Sequence, residues 1–207
     1  MNGAESLLTT LVNNGVEVCF TNPGTSEMHF VAALDEVEGM RCVLCLFEGV
    51  VTGAADGYGR LAGKPAATLL HLGPGLANGL ANLHNARRAS TPLVNIVGDH
   101  ATYHLQYDAP LTSDIVGFAR PVSSWIHESK NADSVASDAA RAVQAARAAP
   151  GGVSTLILPA DTAWNEARRA EQKLPDLLPA PVNPDAIDAA ARLLSNGKKT
   201  ALLLRGA

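Results

Sequence analysis

The stretch Arg41-Cys42-Val43-Leu44-Cys45-Leu46-Phe47-Glu48-Gly49-Val50-Val51-Thr52-Gly53-Ala54-Ala55-Asp56-Gly57-Tyr58 decides how this chain is read. Residues 41–47 form an apolar run of strand length between Gly39 and Gly49. Apolar residues at positions 50, 51, 54, 55, 58 and 61 then recur with helical spacing. Glu48 therefore stands where a buried strand ends and a helix begins. A carboxylate in such a place must pair, cap or do chemistry. In open α/β sheets, ligands bind just outside the carboxyl ends of the strands. Glu48 is accordingly the first candidate for a functional centre.

Working outward toward the N-terminus, residues 2–14 read as a helix, with Ala4, Leu7, Leu8, Leu11 and Val12 on one face and Gly15 as its stop. Val16–Phe20 alternates as a first strand and Thr21-Asn22-Pro23-Gly24-Thr25-Ser26 is a turn. Thr25 or Ser26 is expected to cap a helix beginning near Glu27, whose acid suits the positive end of the helix dipole. Toward the C-terminus, Gly63-Lys64-Pro65 closes the 49–62 helix, and Ala66–His71 is a third strand. Leu72-Gly73-Pro74-Gly75 is a turn before a helix over Leu76–Ala89, and Leu93–Val97 is a fourth strand. A long loop with a short helical piece follows over 100–120. Then come a strand over Val122–Ile126, a helix over Asp133–Ala149 and a strand over Val153–Leu158. This alternation predicts an α/β fold: an open, mostly parallel sheet with helices on both faces. From Ala163 to Val182 the chain turns charged and Pro-rich, as a linker would. Asn183-Pro184 opens another helix that stops at Gly197, and Thr200–Leu204 has strand character. The division expected is one domain over 1–165, a linker over 166–182, and over 183–207 the start of a further domain left incomplete here.

Twenty acidic against sixteen basic residues give a net charge of −4, with no basic run, which argues against a nucleic-acid partner. No apolar run approaches membrane-spanning length, and the first residues lack the basic and apolar segments of a signal peptide, so a cytoplasmic protein is expected. Cys42 and Cys45 have C-x-x-C spacing. On a strand an odd separation points them to opposite faces, and buried apolar thiols are the better reading.

Loops 21–26, 48–49 and 71–75 all follow strands, and parallel strands would bring them to one edge. The 72–79 stretch lacks both G-x-G-x-x-G and G-K-[ST], and Pro74 removes a backbone donor, so it is no nucleotide phosphate loop. It suits a tight turn against a flat ligand. Gly49, Gly53 and Gly57 line one helix stripe, for packing against either the sheet or another helix, including one of a second subunit. His71 ends a strand and is open to a structural or an acid–base role. His84 lies mid-helix. His100 and His104 have metal-ligand spacing, but no carboxylate pattern supports them, and no metal site is assigned. No G-x-S-x-G nucleophile is present.

Taken together, several stretches resemble the N-terminal, pyrimidine-binding domain of thiamine-diphosphate-dependent enzymes of the acetolactate synthase and benzoylformate decarboxylase group. They are Phe20-Thr21-Asn22-Pro23-Gly24-Thr25-Ser26-Glu27, Phe47-Glu48 with Ala54–Arg60, Gly63-Lys64-Pro65, His71–Gly79 and Pro92–Gly98. The likeness covers residues 1 to about 165, and the tail from 182 looks like the start of that group's central domain. It implies thiamine diphosphate as cofactor, a 2-keto acid as substrate, and decarboxylation or carboligation as the reaction. Glu48 would bond N1′ of the cofactor's aminopyrimidine in a dry site. His71 would line the substrate site as a second catalytic residue. Pro23, Gly24 and Thr25 would approach cofactor and substrate, and Gly73, Gly75 and Asn78 would flank the pyrimidine. The resemblance also implies a homodimer or homotetramer with the active site between subunits, and Mg bound by ligands beyond residue 207. FAD would involve the central domain and is left open by these residues. Pro110 and Leu111 stand where acetolactate synthases carry phenylalanine and glutamine, and Leu111-Thr112 looks like the benzoylformate decarboxylase branch.

Overall fold

The computed structural model describes residues 1–178 and 181–203. Six parallel strands form one sheet: β1 (Val18–Asn22), β2 (Arg41–Leu44), β3 (Ala66–Leu70), β4 (Leu93–Asp99), β5 (Trp125–Glu128) and β6 (Val153–Pro159). Their order across the sheet is β2-β1-β3-β4-β6-β5. Eight α-helices accompany them among the described residues: α1 (Gly3–Asn13), α2 (Met28–Glu36), α3 (Glu48–Ala62), α4 (Leu72–Ala89), α5 (Ile115–Ala119), α6 (Ala132–Arg147), α7 (Ala160–Trp164) and α8 (Pro184–Leu194). The open parallel sheet with helices on both faces is the fold the sequence predicts.

Strand alternation divides the apolar residues between two cores. Ala67 and Leu69 of β3, with Val94 and Ile96 of β4, pack under Leu7, Leu8 and Leu11 of α1, Phe30 of α2 and Val135 and Val143 of α6. Ala66, Leu70, Leu93 and Val97 face the other way, under Val51 and Ala55 of α3, Leu76 and Leu83 of α4, and α5. Both faces of the central strands are thus buried, which explains their continuous apolar runs. One polar line crosses the sheet centre. The fully buried Asn95 accepts from Thr68 Oγ1 at 2.8 Å and donates to Thr155 Oγ1 at 3.1 Å, and Thr155 pairs with Ser123 at 2.7 Å. Each side chain has a partner, as buried polar groups require.

Several boundaries differ from the sequence reading. β1 begins two residues later, at Val18, and β5 begins at Trp125. β2 stops at Leu44, and as an edge strand it is largely exposed, with Leu44, Leu46 and Phe47 facing outward. The apolar run before Glu48 is therefore a surface patch and not a buried strand. Cys42 is exposed for the same reason, whereas Cys45 is buried. The expected turn Leu72–Gly75 is the first turn of α4, entered through Leu72 at φ 54°. A non-glycine residue in that region is strained, and this one is held by burial beside the site. Neither Thr25 nor Ser26 caps α2. A 3₁₀ turn over Thr25–Glu27 intervenes, and the Glu27 side chain reaches back to the Gly24 backbone.

The segment 165–171 runs back along α1, with Gly3 N donating to Asn165 O at 3.0 Å and Ser6 Oγ to Arg169 O at 2.7 Å. Helix α8 forms as the sequence predicts, capped by Asn183, and none of its residues is buried. The described part of the expected Thr200–Leu204 strand, through Leu203, is irregular, and Leu204 lies outside the described residues. No described helix is long and apolar enough to cross a membrane.

Candidate functional site

Successive connections leave β1 and β3 toward opposite faces, α2 joining one core and α4 the other. The crevice between these neighbours is the topological switch point where open α/β sheets bind ligands. Three loops meet there. Gly24 lies so close over His71 that a Cβ on it would come within 2.4 Å of the imidazole ring. Asn22 Nδ2, at the end of β1, donates to Cys45 O at 2.8 Å and ties the β2–α3 connection to the same edge. A Cβ on Gly75 would lie 3.4 Å from Glu48 Oε1 and 3.5 Å from His71 Cβ, so Glu48 and His71 flank one glycine. The convergence expected of these loops is what the structure shows.

Glu48 opens α3, where the helix dipole and unpaired backbone N–H groups favour its charge. Its Oε2 accepts from Asn78 Nδ2 at 3.0 Å. The two helices are locked together behind it, Thr52 Oγ1 donating to Gly79 O at 3.0 Å and Asn82 Nδ2 to Gly49 O at 2.7 Å. Within this single chain Glu48 is half-buried. Beside it runs an open groove of about 650 Å³ between α3 and α4, lined by Phe47, Gly49, Val50, Gly53, Asn78 and Ala81 among others. Of the glycine stripe, Gly53 faces Asn82 of α4, while Gly57 has open space where a side chain would be.

Sequence reasoning missed Glu27 and Gly98. Glu27 is buried, and its Oε2 accepts from Gly24 N at 2.7 Å and lies 2.7 Å from His71 Nδ1. Burial, the largest influence, raises its pKa above 4.5, against the opposing pull of the Gly24 N–H and the His71 charge. Its Oε1 is buried with no hydrogen-bond partner among the described residues and presses on Gly98, where a Cβ would lie 1.7 Å away. No local pattern signals this contact, because Glu27 reads equally well as an acid favouring a helix start.

The remaining candidates fall at different depths. Pro23 is half-buried and Thr25 exposed, both on the loop that carries Gly24. Gly73 turns toward the 105–114 loop, where a Cβ would meet Ser113 at 2.2 Å, while Gly75 turns toward Glu48. His84 is exposed. The His100 and His104 rings lie 5.4 Å apart in the loop after β4. Among the described residues no three His, Cys, Asp or Glu side chains gather as a metal site.

Residues 1–120 match the family described as thiamine pyrophosphate enzyme, N-terminal TPP binding domain. The chain belongs to that family. Among similar proteins, a Mycobacterium tuberculosis protein provisionally named acetolactate synthase large subunit IlvX is 56% identical over 206 residues, covering 100% of this chain and 39% of its own length. Benzoylformate decarboxylase of Pseudomonas aeruginosa is 32% identical over 190 residues, covering 91% of this chain and 35% of its own. The solved benzoylformate decarboxylase of Polynucleobacter necessarius superposes with a TM-score of 0.86 at 25% identity, over 96% of this chain and 37% of that one. This thiamine pyrophosphate enzyme domain thus spans less than two fifths of the length of those relatives.

Proposed function

We propose that this chain supplies the pyrimidine-side half of a thiamine-diphosphate site for decarboxylation or carboligation of a 2-keto acid. The observation that carries it is Glu48, placed at a helix start beside the glycine backbone of Gly75 and the apolar α3–α4 groove. A flat aminopyrimidine fits such a groove, with Glu48 bonded to a ring nitrogen and Gly75 leaving room at its edge. Asn78 fixes the orientation of the carboxylate. When bound, thiamine diphosphate supplies the carbon nucleophile and the electron sink for loss of CO2. Glu48 would hold and exchange the proton at the ring nitrogen, and His71 would bond the substrate from the opposite side of Gly75. Pro23, Gly24, Thr25 and Gly73 shape the loops on which these groups stand.

The exposed apolar patch of Leu44, Leu46, Phe47 and Val50 adjoins Glu48, and Leu46 is 93% exposed. Patches of this kind mark association surfaces. Covering this one with a second subunit in a homo-oligomer would also dry Glu48, with the diphosphate and Mg held by residues outside this chain. On this reading residues 1–165 are the pyrimidine domain, 166–182 a linker and 183–207 the opening of a central domain. Replacing Glu48 by Gln in the assembled enzyme should lower turnover of a 2-keto acid at least about hundredfold, the scale of a lost acid–base group. Undiminished turnover would refute the assignment. If the chain serves only as an association module, any turnover by an assembly containing it will be unchanged by Glu48→Gln.

A further inference from the structure

His71 has two ring nitrogens, and among the described residues only Nδ1 has a hydrogen-bond partner. Nδ1 lies 2.7 Å from Glu27 Oε2, an oxygen that already accepts from Gly24 N. The Gly24 backbone covers one face of the imidazole. The ring is about one quarter exposed, whereas the Glu27 side chain is 1% exposed. We propose that Glu27 is the positioning residue of this site: its buried carboxylate holds the proton of neutral His71 on Nδ1 and leaves Nε2 as the proton acceptor facing the crevice.

Three observations support this. A carboxylate only accepts hydrogen bonds, so an Nδ1 facing it must donate. The alternative puts the proton on Glu27. On Oε1 that proton would find no acceptor, because this atom is buried against Gly98 with no partner among the described residues. On Oε2 it would turn the acceptor of the Gly24 N–H from a carboxylate oxygen into a neutral hydroxyl, a weaker acceptor. Among the other elements packed against Glu27, Asp99 of β4 accepts from His100 N at 2.7 Å and Asp161 of α7 accepts from Thr102 N at 3.0 Å. Both carboxylates thus have donors of their own, and the ring atom bonded to Glu27 is His71 Nδ1. Fixing the tautomer through the second nitrogen is how proteins aim a histidine at its task. The inference rests on His71 belonging to the site, and it concerns a property of this chain without cofactor.

The test is nitrogen-15 NMR of His71 in the 207-residue chain, at a pH where the ring is neutral. A histidine side chain free in water prefers the proton on Nε2, so a pyrrole-type Nδ1 reports the constraint. The wild-type chain should show the Nδ1–H form in at least about tenfold excess, equivalent to about 1.4 kcal/mol. Glu27→Met, similar in length but without an acceptor, should return the ring to the Nε2–H majority. Glu27→Gln retains a carbonyl acceptor and should keep the Nδ1–H form. Should the Met variant fail to fold, Gly98→Ala displaces the same carboxyl from outside and is expected to move the tautomer likewise. A wild-type Nδ1 without a proton, or a tautomer unchanged on removing the carboxyl, would overturn the proposal. Either result would leave the Glu48 assignment standing, since Glu48 is tested by turnover.

Discussion

Gly98→Ala should destabilise this protein only because Glu27 is there. An added Cβ would lie 1.7 Å from Glu27 Oε1 and 2.6 Å from its Cδ, so the carboxyl must leave its place. Gly98 lies in β4 outside the left-handed region, and alanine meets no backbone penalty there. Moving Glu27 breaks its bonds to Gly24 N and His71 Nδ1, each 2.7 Å long. Hydrogen bonds to charged groups contribute about 1.5–3 kcal/mol each. Hydration of the displaced carboxylate recovers part of that, leaving a net cost of about 2–4 kcal/mol. In a Glu27→Ala background the obstacle is gone, and the added methyl should cost less than about 0.5 kcal/mol. The coupling is the difference, about 1.5–4 kcal/mol, at or just above the upper part of the range seen for residues in contact. Urea unfolding followed by circular dichroism on the wild type, both single variants and the double variant measures it. Equal cost of Gly98→Ala in both backgrounds would refute the reasoning.

Other outcomes follow from the same geometry. Because burial raises the Glu27 pKa in the folded state, the native protein retains a proton that the unfolded chain has released. Its contribution is complete below about pH 4.5 and is lost as pH rises through the folded value, so Glu27→Gln should flatten that limb of a urea-midpoint series. Asn95→Ala strips Thr68 and Thr155 of their shared buried partner and should cost about 2–4 kcal/mol in the same assay. Leu46→Asp with Phe47→Asp should weaken association in sedimentation experiments while moving folding stability by less than about 0.5 kcal/mol, since both side chains are exposed here.

The order of strands and helices was legible because the central strands are buried on both faces, and continuous apolar runs such as Ala66–Leu70 need no tertiary information to be recognised. Convergence of the Gly24, Glu48 and His71 loops followed from parallel topology. The character of 41–47 did not follow, because an apolar run looks the same whether it fills a core or covers a surface that meets a partner. Glu27 was hidden for a different reason. Its role depends on Gly98 and His71, 71 and 44 residues away in the chain, and on a backbone turn at Gly24 that no spacing encodes.

The most direct measurement of the central claim is hydrogen–deuterium exchange at the thiazolium carbon of thiamine diphosphate bound, with Mg, in the assembled enzyme. If Glu48 exchanges the proton of the aminopyrimidine, Glu48→Gln slows this exchange by about 10²–10⁴-fold while the cofactor stays bound. An exchange rate equal to that of the wild type, with cofactor occupancy maintained, would contradict the account.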